Sequence, residues 1–397
     1  MKISSKLLAL LLVMALGASS FLLYALFVPS GPSVKYRQTI KINQDTVLTE
    51  DLGPFSETGL DIGASNIVVD GAGHKVIGMG DGREQWGIRI DGQTNVTIKN
   101  VEVYGFRINL RITGSYNCKI LNSYFHHNVP DHRAQEGWYG IESKDSYDNL
   151  FMNNTIDYIS DEGIHFSGSL GNEIFVNNTI RSCQKEGVYL LESVGVKVLN
   201  NRLMNNSPGV YCKSSNNVIG NNTLISNGIQ IRYDYAFGNE IVGNLIFGGV
   251  IRLEEGTSKN TVHRNEVHSS SVGIYLYGAE NNTVYDNRIV IEGTGTYGIR
   301  IGEKDIYGSA GNNLYQNMIT GNATYGIYIS NGSSLNNEVH HNIVATTGNY
   351  GIYINNDALN NTIHHNIVRN HALYDVYDWS KGIKNTWYNN EYDKRNW

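Results

Sequence analysis

Two stretches of the chain hold side chains that can move protons. The first is Tyr139-Gly-Ile-Glu-Ser-Lys-Asp145, with His165 a little further on. It sets a phenol (Tyr139), a carboxylate (Glu142), an ammonium group (Lys144) and an imidazole close together, a set suited to acid–base work. The second is Tyr211-Cys-Lys213 followed by Gly228-Ile-Gln-Ile-Arg232. A lysine serves as a base when neighbouring cations depress its proton affinity, and an arginine holds the carboxylate of a bound acid. Lys213 and Arg232 are therefore candidates for removing a proton beside a carboxylate.

What must position them is a repeat. Gly351-Ile-Tyr-Ile354 recurs as Gly-Ile-Tyr-Ile at 326, Gly-Ile-Arg-Ile at 298, Gly-Ile-Tyr-Leu at 273, Gly-Val-Tyr-Leu at 187 and Gly-Ile-His-Phe at 163. Neighbouring copies start 19 to 28 residues apart, with Asn-rich corners and no helical periodicity between them. Three short strands per copy, each pairing with its own copy one coil on, satisfy that period. The expectation is an all-β chain: a single-stranded right-handed parallel β-helix of about 12 turns. Asn265, Asn287, Asn317, Asn342 and Asn366 recur at one place and predict a ladder of amides along the axis. Sequons such as Asn153, Asn221, Asn281 and Asn360 fall out of the same repeat.

In Gly-Ile-x-Ile-x the two x positions face outward, so they form two columns along the surface. The first reads Arg89, Asn109, Glu142, His165, Tyr189, Tyr211, Gln230, Arg252, Tyr275, Arg300, Tyr328, Tyr353; the second holds Asp91, Arg111, Lys144, Ser167, Leu191, Lys213, Arg232. Rings and cations in one row suit an acidic sugar chain. Arg111, Glu142, Tyr189, Tyr211, Gln230 and Arg252 are the expected substrate-binding residues. The competing expectation is that tyrosines at these positions stack on their own copies in the sheet.

Composition narrows the function classes. The 397 residues carry a formal net charge of −6 and only 17% charged residues, which excludes a generic nucleic-acid-binding surface. Three cysteines make no disulfide framework. Lys2 and Lys6 precede an apolar run from Leu7 to Val28, long enough to span a bilayer. Residues 1–33 thus read as a signal anchor and linker, or as a cleaved signal, and in both cases the rest works outside the cytoplasm. Residues 34–80 read as the entrance that caps the coil, 81–373 as stacked turns, and 374–397, with Trp379, Trp387 and Trp397, as the closing turn. The protein is expected to act as a single chain.

The repeat, Asp70-Gly-Ala-Gly-His74 and Asn385-Thr-Trp-Tyr-Asn-Asn390 resemble the right-handed β-helix family of NosD-like periplasmic proteins, mannuronan C5-epimerases and polysaccharide lyases. Tyr139 to Asp145 resembles the alginate-epimerase motif Tyr-Gly-(Phe/Ile)-Asp-Pro-His-(Glu/Asp), with Glu142 for Asp, Ser143 for Pro and Lys144 for His; His165 can stand in for that histidine. Lys213 and Arg232 match the base and the arginine of the chondroitinase-B and alginate-lyase family. The resemblance implies an acidic polysaccharide as partner and proton abstraction at C5 of a uronate, by a lyase or an epimerase. It also raises calcium as a cofactor, although Asn206 and Pro208 stand near where acidic ligands would be. Two alternatives stand beside it. One is a non-catalytic carbohydrate-binding or cell-surface structural protein. The other is NosD-like copper handling, for which His340, His341, His364 and His365, in equivalent places of adjacent turns, are candidate ligands.

Overall fold

The structure, a computed structural model, describes residues 36–80, 85–129, 137–293, 295–302, 308–330 and 334–397. The expected membrane segment, residues 7–28, lies outside them, and no helix among the described residues is long and apolar enough to cross a membrane.

From Arg37 onward the chain winds as a coil of short strands, most of three or four residues, in three parallel sheets of 15, 15 and 14 strands. In each sheet a strand pairs with its equivalents one coil before and after, as Glu142 pairs with Arg111 and His165. The count is therefore about 14 turns, more than the 12 expected. Ile40–Ile42 and Leu60–Ile62 already pair in the Gly-Ile-x-Ile sheet. Residues 37–80, read as an entrance, thus supply whole coils. Their strands vary the motif: Thr39 stands in the glycine's place ahead of Ile40-Lys-Ile42, and Leu60 replaces the first isoleucine after Gly59.

Alternation sorts side chains as the repeat demands. Ile88, Ile90, Leu110, Ile112, Ile141, Ile164, Phe166, Val188 and Leu190 have no exposure and fill the bore of the coil. The glycine that opens the motif is forced by close approach: a Cβ on Gly163 would sit 2.7 Å from the carbonyl oxygen of Gly187.

Corners explain the asparagines. In pairs such as Asn153-Asn154, Asn177-Asn178 and Asn221-Asn222 the first residue takes a left-handed conformation, with φ of 59°, 57° and 55°, which Asn tolerates better than other residues with a Cβ. The second turns inward. Asn154, Asn178, Asn201, Asn222, Asn244, Asn265, Asn287, Asn317, Asn342, Asn366 and Asn390 form one continuous ladder. Each Nδ2 donates to the next Oδ1 at 2.9–3.1 Å. A second ladder, which the repeat had not disclosed, joins Asn217 to Asn385 through Asn239, Asn260, Asn282, Asn312, Asn337 and Asn361. Each amide also accepts a backbone N–H from the coil before and donates to a backbone carbonyl, as Asn244 does for Asn222 and Ile219. The bends thus keep their buried peptide groups paired.

Glu173 stands where this second ladder would have an amide. It accepts from Asn149 at 2.9 Å and from Ser143 at 3.2 Å, but its Oε2 has no partner among the described residues. Burial pushes its carboxyl up from 4.5 to about 8.

Two outcomes follow for stability. Asn244→Ala removes the partner of Asn222 and of the Ile219 carbonyl together, so chemical denaturation should show a loss of about 3 kcal/mol or more. Glu173 keeps in the native state a proton that the unfolded chain loses above about 4.5. Its contribution therefore falls as pH rises from about 4.5 to about 8. Glu173→Gln should raise the melting temperature at pH 8 more than at pH 5, read by thermal melts of both proteins.

Candidate functional site

One column on the Gly-Ile-x-Ile sheet carries the chemistry. Its Cα register runs Arg89, Arg111, Glu142, His165, Tyr189, Tyr211, Gln230, Arg252, Tyr275, Arg300, Tyr328, Tyr353 and Tyr377. This corrects one position of the expected columns. Arg111, not Asn109, belongs to the first; Asn109 is fully buried, its Nδ2 on the His126 carbonyl. The slip arises because Ile108-Asn109-Leu110 imitates the motif two residues early; Ile108 pairs with Trp86 and Leu110 with Ile88, so Asn109 stands where other copies have the glycine. Beside it runs the second column, Thr113, Lys144, Ser167, Leu191 and Lys213.

Five of the expected site residues meet in one place. Arg111, Tyr139, Glu142, Lys144 and His165 line a cavity of about 410 Å³ over four neighbouring coils. Its floor is the sheet, and Tyr139 enters from the corner before the strand Ile141–Lys144. Tyr139 lies flat on His165 at 4.4 Å between ring centres, and the ring of Tyr189 meets His165 edge-on at 4.9 Å. The guanidinium of Arg111 pairs with Glu142 at 2.9 Å and lies over the Trp86 ring. Lys144 is exposed and has no carboxylate at ion-pair distance among the described residues.

Electrostatics set the protonation states. His165 is almost wholly buried with its Nδ1 unpartnered, and burial depresses it to about 4, aided by the charges of Lys144 and Lys185. It is a neutral imidazole at neutral pH. Burial, together with the nearby carboxyls of Glu162, Glu142 and Asp161, drives the Tyr139 phenol well above its ordinary value, so it stays protonated. The pair thus offers a proton acceptor and a proton donor in contact.

The sequence reading missed a buried carboxyl group at the corner behind them. Asp161 and Glu162 are 5% and 6% exposed. Asp161 pairs with Lys185 at 2.6 Å. Glu162 is pushed up first by burial and then by Asp161, and one coil on burial also raises Glu186. The signal was present: Glu precedes the motif glycine in two consecutive copies, Glu162-Gly163 and Glu186-Gly187.

Lys213 and Arg232 lie in adjacent coils but are arranged differently from the first cluster. The Lys213 ammonium sits over three rings, Tyr189 at 5.4 Å, Tyr211 at 4.9 Å and Tyr233 at 5.1 Å. The Arg232 guanidinium is taken up by Glu255 and lies over Tyr233. Gln230 donates to Glu254 at 2.5 Å and Arg252 pairs with the same Glu254 at 3.4 Å; both line a separate cavity of about 280 Å³.

Tyrosines of the column were expected to offer faces to a sugar. They do so little, because the faces are already used. Tyr189 stacks on Tyr211, and Tyr328, Tyr353 and Tyr377 stack on one another at 4.9–5.4 Å. The hydroxyls of Tyr328 and Tyr353 are engaged as well, by Asn355 and Trp379.

The histidine pairs prove to be part of a corner. In His340-His341 and His364-His365 the second residue is left-handed, with φ of 54° and 53°, and the two Nδ1 atoms lie 2.8 Å apart, one donating to the other. His340 stacks on His364 at 4.9 Å, and Tyr315 and Tyr388 continue the stack on either side. Among the described residues no group of three or more His, Cys, Asp or Glu side chains has the spacing of a metal site. Calcium fits no better: the Oδ1 of Asn206 accepts the Cys183 amide and its own amide is held by Asn227.

Comparison with known proteins agrees with this architecture. A family described as periplasmic copper-binding protein (NosD) matches residues 65–259, and one described as right handed beta helix region matches residues 302–392. No curated protein matches the chain. Among solved structures, a mannuronic acid specific polysaccharide family 6 lyase from human gut microbiota superposes with a TM-score of 0.51 at 12% identity, covering 78% of this chain and 82% of that one. The A-module of the mannuronan C-5 epimerase AlgE6 of Azotobacter vinelandii matches with a TM-score of 0.45 at 14% identity, over 89% and 90% of the two chains. At these identities the likeness is one of fold. Both family matches and the wound parallel sheets make the chain a right-handed parallel β-helix protein.

Proposed function

We propose that the protein works outside the cytoplasm, binds an acidic polysaccharide along the Gly-Ile-x-Ile sheet, and removes the C5 proton of a uronate unit. The observation that carries this reading is the contact between a neutral His165 and a protonated Tyr139 in a cavity that also holds Lys144. The apolar run at residues 7–28 and the periplasmic description of the NosD family support the location. The lyase with the similar fold is described as specific for mannuronic acid, which supports the substrate class by analogy.

Each group has a task. The Lys144 ammonium, without a carboxylate of its own, neutralises the uronate carboxylate, so that charge can build on it as the proton leaves. Neutral His165 accepts the C5 proton. Arg111, anchored by Glu142 and Trp86, closes the cavity wall and binds sugar hydroxyls. Tyr139 supplies a proton. If it goes to the leaving O4, the C4–O4 bond breaks and an unsaturated uronate remains, which is a lyase. If C5 is instead reprotonated on its opposite face, the C5–H bond broken on one side is remade on the other, C4–O4 stays intact and the configuration inverts, which is an epimerase; that proton comes from a donor other than Tyr139, which stacks on His165. Lys213 and Arg232 are less suited to the base role. The positive charge that would hold Lys213 neutral is itself balanced by Glu255.

The test uses the protein with alginate, pectate and glycosaminoglycans. Absorbance of unsaturated uronate reads elimination, and exchange of the C5 proton with deuterated solvent reads epimerisation. His165→Ala and Tyr139→Phe should each lower the rate by about 10²–10⁴, with both proteins retaining the wild-type melting profile. No signal from any polymer would leave a binding module in place of an enzyme. For the wild type, kcat/KM should rise as pH passes about 4, where His165 loses its proton. A rate independent of pH through that range would remove His165 from the base role.

A further inference from the structure

Three coils beyond Lys144 the second column reaches Lys213, through Ser167 and Leu191. That is about 14 Å, three times the strand spacing. Lys213 lines another cavity of about 280 Å³ with Val194, Tyr235 and Phe237, and Glu192 lies on the rims of both this cavity and the first. The two thus adjoin at Glu192.

This cavity differs from the tyrosine ladder in what it exposes. Tyr235 is 47% exposed and has Tyr233 on one side only. Phe237 is 42% exposed. These rings are open to solvent, whereas Tyr211 and Tyr275 of the column are buried. Lys213 makes no ion pair among the described residues and is held from beneath by three tyrosine rings. An apolar ridge leads to it along the same edge of the sheet, one residue per coil: Tyr147, then Leu170, 70% exposed, then Val194.

We infer that Lys213, Tyr235 and Phe237 form a distal subsite that takes a further uronate unit of the same polysaccharide, its carboxylate on Lys213 and its apolar ring face on Phe237 and Tyr235. The inference rests on the uronate reading above and adds to it the direction of the chain, along the coil axis from Lys144 to Lys213, and a minimum length. Charge and shape both select the occupant. An unpaired cation among ring faces suits an acidic sugar, which is anionic at one edge and apolar on its faces. The rim carboxylate of Glu192 suits a sugar hydroxyl.

The experiment compares trimannuronate with heptamannuronate by calorimetry and by turnover. The trimer fills the first cavity alone, and the heptamer reaches both. Wild-type protein should prefer the heptamer by about tenfold or more. Phe237→Ser and Lys213→Ala should each remove most of that preference, and Lys213→Arg should restore it. Phe247→Ser, an exposed phenylalanine on another sheet, should leave it unchanged. Equal binding of the two lengths by wild type, or a preference that survives both variants, overturns the subsite while leaving the C5 reading intact. Failure of wild type to bind or turn over either length, together with no signal from alginate, pectate or glycosaminoglycans, overturns both. Since Phe237 is exposed, its variant reports even if Lys213→Ala does not fold.

Discussion

Everything in this protein hangs on the closing of buried amides from one coil to the next. A three-sided coil must bend the backbone thrice per turn, and each bend takes peptide groups away from the sheets. The ladders from Asn154 to Asn390 and from Asn217 to Asn385 return partners to those groups. They also fix register, because a coil shifted by one residue would put an aliphatic chain where an amide must bond. Register in turn is what brings residues twenty or thirty positions apart into one cavity.

Much of this could be read in the letters. Gly-Ile-x-Ile gave the sheet, its inward pair and its outward positions, since alternation has no exceptions in a strand this short. Asn-Asn gave the corners. What escaped reading has physical causes. The first coils vary the motif, with Thr39 in the glycine's place in one and Leu60 after Gly59 in the next. Asn109 was set outside and Arg111 in the wrong column because Ile108-Asn109-Leu110 imitates the motif two residues ahead of the true inward pair, with Asn109 in the glycine's place. The tyrosines admitted two readings, a platform for sugars and a stack of each ring on its own copy, and stacking is what Tyr328, Tyr353 and Tyr377 do. Asp161 and Glu162 were overlooked because a carboxyl beside a glycine corner looks like a solvated loop, and only the fold shows it to be buried.

The sheet is zoned along its length. Charged and titratable groups occupy its earlier coils, from Arg89 to Arg252, and tyrosines dominate from Tyr275 to Tyr377. The earlier zone combines a depressed imidazole, a protonated phenol and buried carboxyls, which is costly to fold and useful for chemistry. The later zone is a stack of rings that stabilises the sheet. One scaffold thus separates reactivity from rigidity by position alone.

The second ladder is not whole. Glu173 and Val196 stand in it where amides would be, between Asn149 and Asn217. Those two coils are the ones that carry His165 and Tyr189. A one-dimensional stack fails first where a coupling between neighbours is missing. At this corner the coils beneath the cavity are joined by fewer side-chain hydrogen bonds than those from Asn217 onward, while the first ladder runs through them unbroken.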